Sequence, residues 1–384
     1  MQGVRCWAEI DLSALRHNVE CVRGALTAGT ELIAVVKADA YGHGLEIIAK
    51  ELLAQGVDVL AVASPREGAQ LRIIAPNVRI LVLGPVLPDE LDLVLRHDLE
   101  VIVSSLEDLA LFETADRPVR LHLKMDTGMG RLGAENGISL GELYTRVRAH
   151  PRFILAGICT HFAAADEDST LTLEQRKRFY QAMKALPGLD VSTLLIHADN
   201  SAGLDYFDAS GPCNGVRVGL ALYGYPPSSV ERFNHVSFKP VMSVHARVGL
   251  VKHLPKGSTV SYGATVRLAR DSRLAVLTMG YADGFPVSAS NRAQVLIQGA
   301  CCPVLGRICM DLTVVDITDH PGSVARGDLA TWMGSQGDVS IDAEELARHA
   351  GSISWERLCG VSKRVPRVAN EYCVHTQKSD PTMK

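Results

Sequence analysis

The chain has 384 residues, of which 47% are hydrophobic and 21% are charged, and its formal net charge at pH 7 is −4. This length is typical of two domains, and the apolar fraction is sufficient for large buried cores. The slightly acidic balance argues against nucleic acid or an anionic membrane as the main partner. The N-terminal segment lacks the apolar core of a signal peptide, and no apolar stretch is long enough to cross a bilayer.

The cysteine pattern is typical of a reducing compartment. Nine cysteines are scattered along the chain, with one adjacent pair at Cys301 and Cys302 and no CxxC spacing. Disulfide scaffolds and zinc sites use cysteines at short, paired spacings. We therefore expect free thiols, a cytoplasmic protein and no metal site.

Short apolar runs alternate with amphipathic segments from about residue 30 to about residue 220. The runs predict eight strands, at residues 32–37, 59–63, 80–83, 100–103, 120–124, 154–160, 193–197 and 215–218. Apolar residues three and four positions apart predict helices between them. Eight such units match a closed (β/α)8 TIM-type barrel in number and length. The alternative is an open doubly wound sheet, which should carry a glycine-rich turn where this chain has Lys37.

The second part of the chain has a different pattern. Its runs are short and rich in valine, isoleucine and threonine, at residues 241–251, 258–262, 273–277, 293–297, 302–304, 312–316 and 329–333. This predicts a C-terminal all-β domain with a short helix near residues 342–350. We expect a barrel domain over residues 1–235, a β domain over 236–376 and a disordered tail over 377–384.

Polar side chains follow five of the predicted barrel strands. They are Lys37 and Tyr41 after the first strand, Lys124 and Arg131 after the fifth, His161 after the sixth, Asn200 and Ser201 after the seventh, and Arg217 after the eighth. Each one alone is ordinary, since a strand-end lysine commonly points to solvent and a single histidine is commonly structural. The C-terminal ends of barrel strands face the active site, so the set indicates a functional site.

Lys37 suggests the covalent binding of a carbonyl compound. A lysine in an apolar pocket favours the neutral amine, which can form a Schiff base. Nearby cations such as Arg131 and Arg217 favour the neutral amine further. Pyridoxal phosphate (PLP) is the natural carbonyl partner, and Ser201 with the main-chain amides near Gly219 can hold its phosphate.

Eight motifs then occur in a fixed order along the chain. They are AVVKADAYGHG, HLKMDTGMGRLG, THFAAADE, VRVGLALYG, VSYGATV, MGYADGFP, GRICMD and LCGVSKRVPRV. Together they resemble the PLP-dependent alanine racemase family across almost the whole chain. The resemblance implies interconversion of L-alanine and D-alanine, with D-alanine supplied for peptidoglycan. It also implies a homodimer in which the two subunits share each active site.

The resemblance implies roles for individual residues. Lys37 corresponds to the lysine that binds PLP and acts as the base on the D side, and Tyr262 corresponds to the L-side base from the other subunit. Further cofactor-binding residues are Tyr41, His161, Asn200, Ser201, Arg217, Gly219, Leu220 and Trp355. In this set His161 packs against the cofactor ring and Arg217 faces its pyridine nitrogen. Two bases on opposite faces of Cα suit racemisation, which removes a proton from one face and returns it on the other.

The substrate-binding residues implied in the same way are Arg131, Met310 through its backbone amide, and Tyr281 at the entrance. Lys124 corresponds to a lysine that is carbamylated in many family members, which turns its charge from positive to negative beside Arg131. The alternative is an unmodified lysine paired with a carboxylate such as Asp126.

Three positions depart from the family pattern. Trp355 stands where a tyrosine is usual, Asp199 where a small residue is commoner, and Val287 where an arginine is usual. Trp355 keeps open a racemase for serine or another small amino acid. The changes at Asp199 and Val287 are either neutral surface changes or changes at the entrance.

Two other PLP proteins remain as alternatives. A basic amino acid decarboxylase would hold the phosphate with a glycine triplet and face the ring nitrogen with a carboxylate, whereas this chain has no GGG and offers Arg217. A non-catalytic PLP-binding protein would be a single barrel, whereas this chain carries Tyr262 and Met310 in a second half.

Overall fold

The computed structural model describes residues 3–208, 210–227 and 230–370. The chain divides into two compact units, one over Arg16–Lys239 and the other over the described parts of Met1–Leu15 and Pro240–Lys384. The predicted disordered tail at residues 377–384 lies outside the described residues. Within the described ranges, no helix has both the length and the apolar character needed to span a membrane.

After strand β1 (Cys6–Asp11) and helix α1 (Leu12–Ala25), the chain enters a closed barrel of eight parallel strands. The barrel strands are β2 (Glu31–Val35), β3 (Val59–Val62), β4 (Arg79–Val82), β5 (Glu100–Val103), β6 (Val119–Lys124), β7 (Phe153–Cys159), β8 (Leu195–His197) and β9 (Gly215–Val218). Strand β9 pairs with β2, with Ile33 beside Arg217, and this pairing closes the sheet. The barrel predicted from the alternating pattern is therefore confirmed.

Helices connect the barrel strands. They are α2 (Lys37–Tyr41), α3 (Leu45–Ala54), α4 (Pro65–Ile74), α5 (Leu91–Arg96), α6 (Leu106–Glu113), α7 (Gly137–Ala149) and α8 (Ser169–Lys184). Side chains cap several of their first turns: Ser64 caps α4 and Asn136 caps α7. Each cap bonds a backbone N–H that has no partner within the helix and is worth about 1 kcal/mol. Because the eight barrel strands are parallel, all of their C-termini lie at one end of the barrel, which we call the rim.

Part of the barrel interior is apolar and supports the rim. A cluster of buried side chains fills it, made up of Ile33, Val35, Val59, Ala61, Leu81, Ile102, Cys159 and Leu195. Tyr41 and Leu83 pack against this cluster. Burial of each large aliphatic side chain contributes about 1.5–3 kcal/mol. The side chain of Tyr41, a predicted site residue, is therefore held against a packed apolar surface.

The second unit is built on a nine-stranded sheet with the central order β15-β14-β17-β10-β1-β19. The additional strands after the barrel are β10 (Met242–Leu254), β11 (Thr259–Val260), β12 (Val266–Arg267), β13 (Ser272–Leu277), β14 (Gln294–Ile297), β15 (Ala300–Pro303), β16 (Thr313–Asp316), β17 (Leu329–Gln336), β18 (Val339–Ile341) and β19 (Arg367–Asn370). Two helices, α9 (Ala343–Ala350) and α10 (Ser354–Cys359), follow β18. The predicted all-β character of this part of the chain is confirmed.

The expected division of the chain assigned residues 1–235 to the barrel, but strand β1, which lies in this range, is part of the second unit. Cys6 lies beside Ala246 in an antiparallel pairing with β10, and Ala8 lies beside Arg367 in a parallel pairing with β19. Both edges of β1 are thereby hydrogen-bonded within the second unit. Its partners lie more than two hundred positions further along the chain, so the local pattern could not reveal them.

Candidate active site at the barrel rim

Lys37 lies at the start of a left-handed turn that follows β2. Ala38, Asp39 and Ala40 have φ of 55°, 56° and 55°, and Tyr41 has φ of 52°. Each non-glycine residue in this conformation costs about 1–2 kcal/mol. Such strain persists only where the surroundings impose it, and it is concentrated at functional sites. The turn places half-buried Lys37 and Tyr41 on the rim.

Neighbouring side chains hold this turn in place. Asp39 Oδ1 accepts the N–H of Leu45 at 2.7 Å, at the start of α3. Glu67 accepts the N–H of Ala38 at 2.8 Å through one carboxylate oxygen and the N–H of Ala63 at 2.7 Å through the other. These bonds fix both ends of the turn and offset part of its strain.

Tyr41, Ser201 and Gly219 form a polar cradle on the rim. The N–H of Gly219 donates to Ser201 Oγ at 3.3 Å. A Cβ atom at residue 219 would lie 2.7 Å from the hydroxyl oxygen of Tyr41, so glycine is required for this close approach. Asn200 Oδ1 accepts a backbone N–H at 2.8 Å and shapes the loop that carries Ser201, and Leu220 follows Gly219 directly. Two hydroxyls beside main-chain amides suit a phosphate group, which accepts hydrogen bonds.

Arg217 is buried inside the barrel and held through both terminal nitrogens. Nη1 donates to the carbonyl oxygen of His197 at 2.8 Å and to its Nδ1 at 2.6 Å. Nη2 donates to the carbonyl oxygens of Thr160 and Ala198 at 2.9 and 2.8 Å, and to His161 Nδ1 at 2.9 Å. The Nε–H bonds to none of the described residues. A guanidinium can only donate, so this N–H suits an aromatic nitrogen that carries a lone pair.

His161 is neutral and lies among positive charges. Burial and, to a smaller extent, nearby cations together lower the pKa of His161 to about 2. These cations are Arg217, Lys124, Arg131 and Lys37. The structure thus brings the barrel residues predicted for the site into one electropositive region, which favours a phosphorylated or carboxylated ligand.

Lys124 is the last residue of β6 and is only 6% exposed. Burial lowers the pKa of the Lys124 amine, and neighbouring arginines add to this effect. Asp126 is engaged elsewhere: its carboxylate accepts the N–H groups of Gly128 at 2.9 Å, Met129 at 2.8 Å and Arg131 at 3.1 Å. Although burial opposes ionisation, these amides hold the pKa of Asp126 below its usual value. The predicted alternative was an ion pair between Lys124 and Asp126. Among the described residues, no hydrogen bond joins these two side chains.

The remaining predicted site residues lie in the second unit. The N–H of Tyr281 donates to the carbonyl oxygen of Cys309 at 2.9 Å, which joins the Tyr281 turn to the loop that carries Met310. Ser261 Oγ donates to the carbonyl oxygen of Arg307 in the same loop at 2.5 Å. This bond places Tyr262, the next residue, beside the loop that carries Met310. Tyr262 is 72% exposed, Met310 52% and Tyr281 43%. Trp355 lies on α10 and takes no part in these bonds.

One interpretation of the unusual Asp199 is corrected by the structure. Asp199 is fully buried, so it is not a surface change. Its Oδ1 pairs with the buried Arg176 guanidinium, and its Oδ2 has no partner among the described residues. Val287, in contrast, is 47% exposed. Asp199 directly precedes Asn200 and Ser201 in the chain, so the buried pair anchors the start of the loop that carries Ser201.

Sequence reasoning missed four polar residues of the barrel strands, namely Arg79, Glu100, His122 and His197. Hydrogen bonds join them to one another and to Arg217. A signal was available for three of them, which lie in short runs that are otherwise apolar: RILV in β4, EVIV in β5 and LIH in β8. An ionisable residue in a fully buried strand requires a partner.

Two known family models match this chain. The family described as "Alanine racemase, N-terminal domain" matches residues 10–227, and "Alanine racemase, C-terminal domain" matches residues 241–369. An alanine racemase of Halothermothrix orenii is 40% identical over 368 residues, which cover 94% of this chain and 96% of that protein. One of Methylacidiphilum infernorum is 39% identical over 382 residues, which cover 97% and 95%.

Solved structures of alanine racemases are also similar to this chain. The alanine racemase of Bacillus anthracis with bound L-Ala-P superimposes with a TM-score of 0.89 at 32% identity, covering 97% of this chain and 96% of that one. The biosynthetic alanine racemase of Pseudomonas aeruginosa gives a TM-score of 0.82 at 31% identity, with coverage of 96% and 99%.

Proposed function

The chain belongs to the alanine racemase family, and we propose that it interconverts L-alanine and D-alanine with bound PLP. The observation that carries this proposal is Arg217, held through both terminal nitrogens with its Nε–H bonded to none of the described residues. An arginine cannot accept a proton, so a ring nitrogen facing it stays unprotonated. The polar cradle of Tyr41, Ser201 and Gly219 supports a phosphate site on the same rim.

When bound, PLP supplies an electron-withdrawing ring that stabilises negative charge at the substrate Cα. We propose that Lys37 removes or returns the Cα proton on one face, and that Tyr262 of a second copy does so on the other. Arg131 and the backbone N–H of Met310 bind the substrate carboxylate, and Tyr281 lines the entrance. Neutral His161 packs against the cofactor ring without adding another charge.

A lysine substitution tests the cofactor assignment. We expect Lys37→Ala to abolish the visible absorption of lysine-bound PLP and to reduce racemisation by several orders of magnitude. Lys50→Ala is the control, because Lys50 is an exposed lysine paired with Glu46 on α3. Full racemisation by Lys37→Ala would refute the proposal.

Isotope exchange separates racemisation from decarboxylation. In deuterium oxide, the protein should exchange the Cα hydrogen of both alanine enantiomers without releasing carbon dioxide. Release of carbon dioxide from a basic amino acid would support the decarboxylase alternative instead.

Trp355 supports a second candidate, a racemase for serine or another small amino acid. Its indole is larger than the phenol usual at this position and donates only through its N–H. Initial rates on a panel of L- and D-amino acids should give alanine the highest value for wild type. If Trp355 sets the size of the pocket, Trp355→Tyr changes the ranking of the panel, and an unchanged ranking removes this candidate.

We also propose that Lys124 is carbamylated. Burial lowers the pKa of its amine, and the neutral amine is the form that attacks carbon dioxide. The new N–C bond converts carbon dioxide to a carbamate, and the amine proton is released to solvent. Protein equilibrated with 13C-bicarbonate should show one slowly exchanging carbamate carbon resonance, absent in Lys124→Gln. A wild-type spectrum without this resonance would leave Lys124 as an unmodified amine.

The cellular setting is part of the proposal. Each cysteine described in the structure is a free thiol, which supports a reducing cytoplasm. We propose a homodimer that supplies D-alanine for peptidoglycan. Restored growth of a D-alanine auxotroph by the wild-type chain, but not by Lys37→Ala, tests this role.

A further inference from the structure

A chain of polar side chains crosses the barrel interior and ends at Arg217, and all of its members are buried except Arg79, whose side chain is 42% exposed. At its far end Glu100 accepts two N–H groups of Arg79, at 2.8 and 2.9 Å. Glu100 Oε2 lies 2.8 Å from His122 Nε2, and His122 Nδ1 lies 3.0 Å from His197 Nε2. His197 Nδ1 lies 2.6 Å from Arg217 Nη1. We call these five residues the polar chain.

The polar chain is a built feature of the barrel. His122 and His197 are 0% exposed and Glu100 is 4% exposed. Gly157 on β7 makes room for it, because a Cβ atom there would lie 2.4 Å from His122 Nδ1. Glu100 begins β5, whereas the rim lies at the strand C-termini, so the polar chain runs from the opposite end of the barrel to the rim.

The donors and acceptors at its two ends permit a single arrangement of protons. A carboxylate only accepts, so His122 carries its proton on Nε2 and leaves Nδ1 as an acceptor. His197 must then donate from Nε2, which leaves its Nδ1 as an acceptor. The guanidinium of Arg217 only donates, and it meets that acceptor. Each link therefore has one donor and one acceptor.

The charge states agree with this arrangement. Although burial opposes ionisation of Glu100, hydrogen bonds from His122 and Arg79 lower its pKa to about 2. Burial lowers the pKa of His122, and burial with the charge of Arg217 lowers that of His197. At neutral pH the polar chain thus has one carboxylate, two neutral imidazoles and a cation at each end.

We propose that Glu100 is a positioning residue, which accepts the Nε2–H of His122, fixes the positions of the His122 and His197 rings and thereby holds the guanidinium of Arg217 in one orientation. Arg217 only donates, so Nδ1 of His197 stays an acceptor even without Glu100. Without an acceptor at residue 100, the buried Nε2–H of His122 loses the partner that it has at 2.8 Å. The ring of His122 then shifts towards another acceptor, which weakens its bond to His197 and, through His197, loosens the guanidinium of Arg217. The importance of this orientation for catalysis rests on the proposed function.

The first test reads the tautomers directly in the wild-type, PLP-loaded protein. Histidine labelled with 15N and analysed by long-range proton–nitrogen correlation distinguishes protonated from unprotonated ring nitrogens. We expect His122 and His197 to be neutral and protonated on Nε2 at pH 7.5. A proton on Nδ1 of either residue would overturn the proposal without any variant.

The second test removes the acceptor. Glu100→Met keeps an unbranched side chain but cannot accept. We expect both histidines to keep the proton on Nε2, because Arg217 still requires it, while the 1H and 15N shifts of the Nε2–H groups of His122 and His197 move away from their hydrogen-bonded values. Glu100→Gln retains a carbonyl oxygen and should keep the wild-type shifts. The control is Glu51→Met, since Glu51 is a buried carboxylate bonded by Arg16 at 2.7 and 3.0 Å. Its side chain is 8% exposed against 5% for Glu100, and it lies outside the polar chain.

Activity then tests the consequence. We expect kcat/KM of Glu100→Met for alanine to fall by about tenfold or more, with Glu100→Gln and Glu51→Met within about threefold of wild type. Wild-type His122 and His197 shifts together with wild-type activity in Glu100→Met would refute the positioning role. If neither the wild type nor any variant racemises alanine, the proposed function fails, while the histidine spectra still decide the role of Glu100. If Glu100→Met does not fold, the wild-type spectrum and Glu100→Gln remain decisive.

Discussion

Ala38 adopts a backbone conformation that glycine would adopt at lower cost. Its φ of 55° lies in the left-handed region, and its side chain is exposed. Replacement by glycine therefore removes a steric penalty and leaves no cavity. We expect Ala38→Gly to raise the free energy of unfolding by about 0.5–1 kcal/mol, measured by urea denaturation.

An alanine in an ordinary helix provides the matched control for this substitution. Ala110 is exposed in the middle of α6. Ala110→Gly should lower the free energy of unfolding by about 1 kcal/mol, because glycine costs more backbone entropy in a helix. Equal losses in both variants would contradict the left-handed turn after Lys37.

Arg176 and Asp199 form a second residue-scale feature, a buried ion pair with incomplete hydrogen bonding. Arg176 Nε and Asp199 Oδ2 are both buried without a partner among the described residues. Removing one member of a buried pair leaves an uncompensated charge, which costs about 3–5 kcal/mol. We expect this loss of unfolding free energy in Arg176→Met.

A double-mutant cycle completes this prediction. Arg176→Met combined with Asp199→Ala should be more stable than Arg176→Met alone, because no charge is left unpaired. Asp199→Ala also gives this position the small residue that is common in the family. Additive losses in the double variant would show that the two side chains do not interact.

At the scale of elements, the barrel strands were predictable because their signal is local. The run predicted at residues 59–63 is β3, Val59–Val62, and the run predicted at 215–218 is β9, Gly215–Val218. The turn after β2 was not predictable, because alanine and aspartate rather than glycine occupy its left-handed positions. Strand β1 was missed because its pairing partners are distant in sequence.

The candidate site was predictable to a similar extent. The rim residues Lys124, His161 and Arg217 stand beside strand ends, so their meeting follows from the barrel itself. The environment of Asp199 depends on Arg176 from α8, and that contact depends on packing rather than on local pattern. The roles of the site residues remain predictions until the variants are measured.

The strands β6 and β8 and the segment after β7 carry histidines that should make the protein sensitive to acid. Burial lowers the pKa of His122, His161 and His197, and it also lowers that of His245 in the second unit. The unfolded chain takes up a proton at each histidine as pH falls through about 6.5, whereas the lowered pKa values delay this uptake in the folded protein. The folded state is therefore disfavoured as pH falls. We expect His161, whose pKa is lowered to about 2, to remove about 1.4 kcal/mol of unfolding free energy between pH 7.5 and 5.5, and the other three histidines to add losses of the same sign.

Urea unfolding followed by circular dichroism at the two pH values measures this loss. His161→Gln should reduce the loss by the share of one histidine, about 1.4 kcal/mol, because glutamine does not titrate. A free energy of unfolding that is equal at pH 7.5 and 5.5 would show that these histidines take up protons in the folded protein as they do in the unfolded chain.

At the scale of the whole molecule, the proposed sharing of each active site between two subunits can be tested by mixing inactive chains. Lys37→Ala lacks one proposed base and Tyr262→Phe lacks the other, so each homodimer should be inactive. A mixed dimer in which the sites are shared has one site with both substitutions and one site with neither. Random exchange makes half of the dimers mixed, and one of their two sites is intact.

Mixing the two variants in equal amounts should therefore restore about a quarter of wild-type racemase activity per subunit, if sites act independently. The gain should develop with time as subunits exchange, and it should be absent when each variant is covalently cross-linked as a homodimer before mixing. As a control, Lys37→Ala mixed with the double variant Lys37→Ala/Tyr262→Phe has no route to an intact site and should stay inactive. If Lys37 and Tyr262 instead acted within one chain, every site in the first mixture would lack a base, and no activity would return.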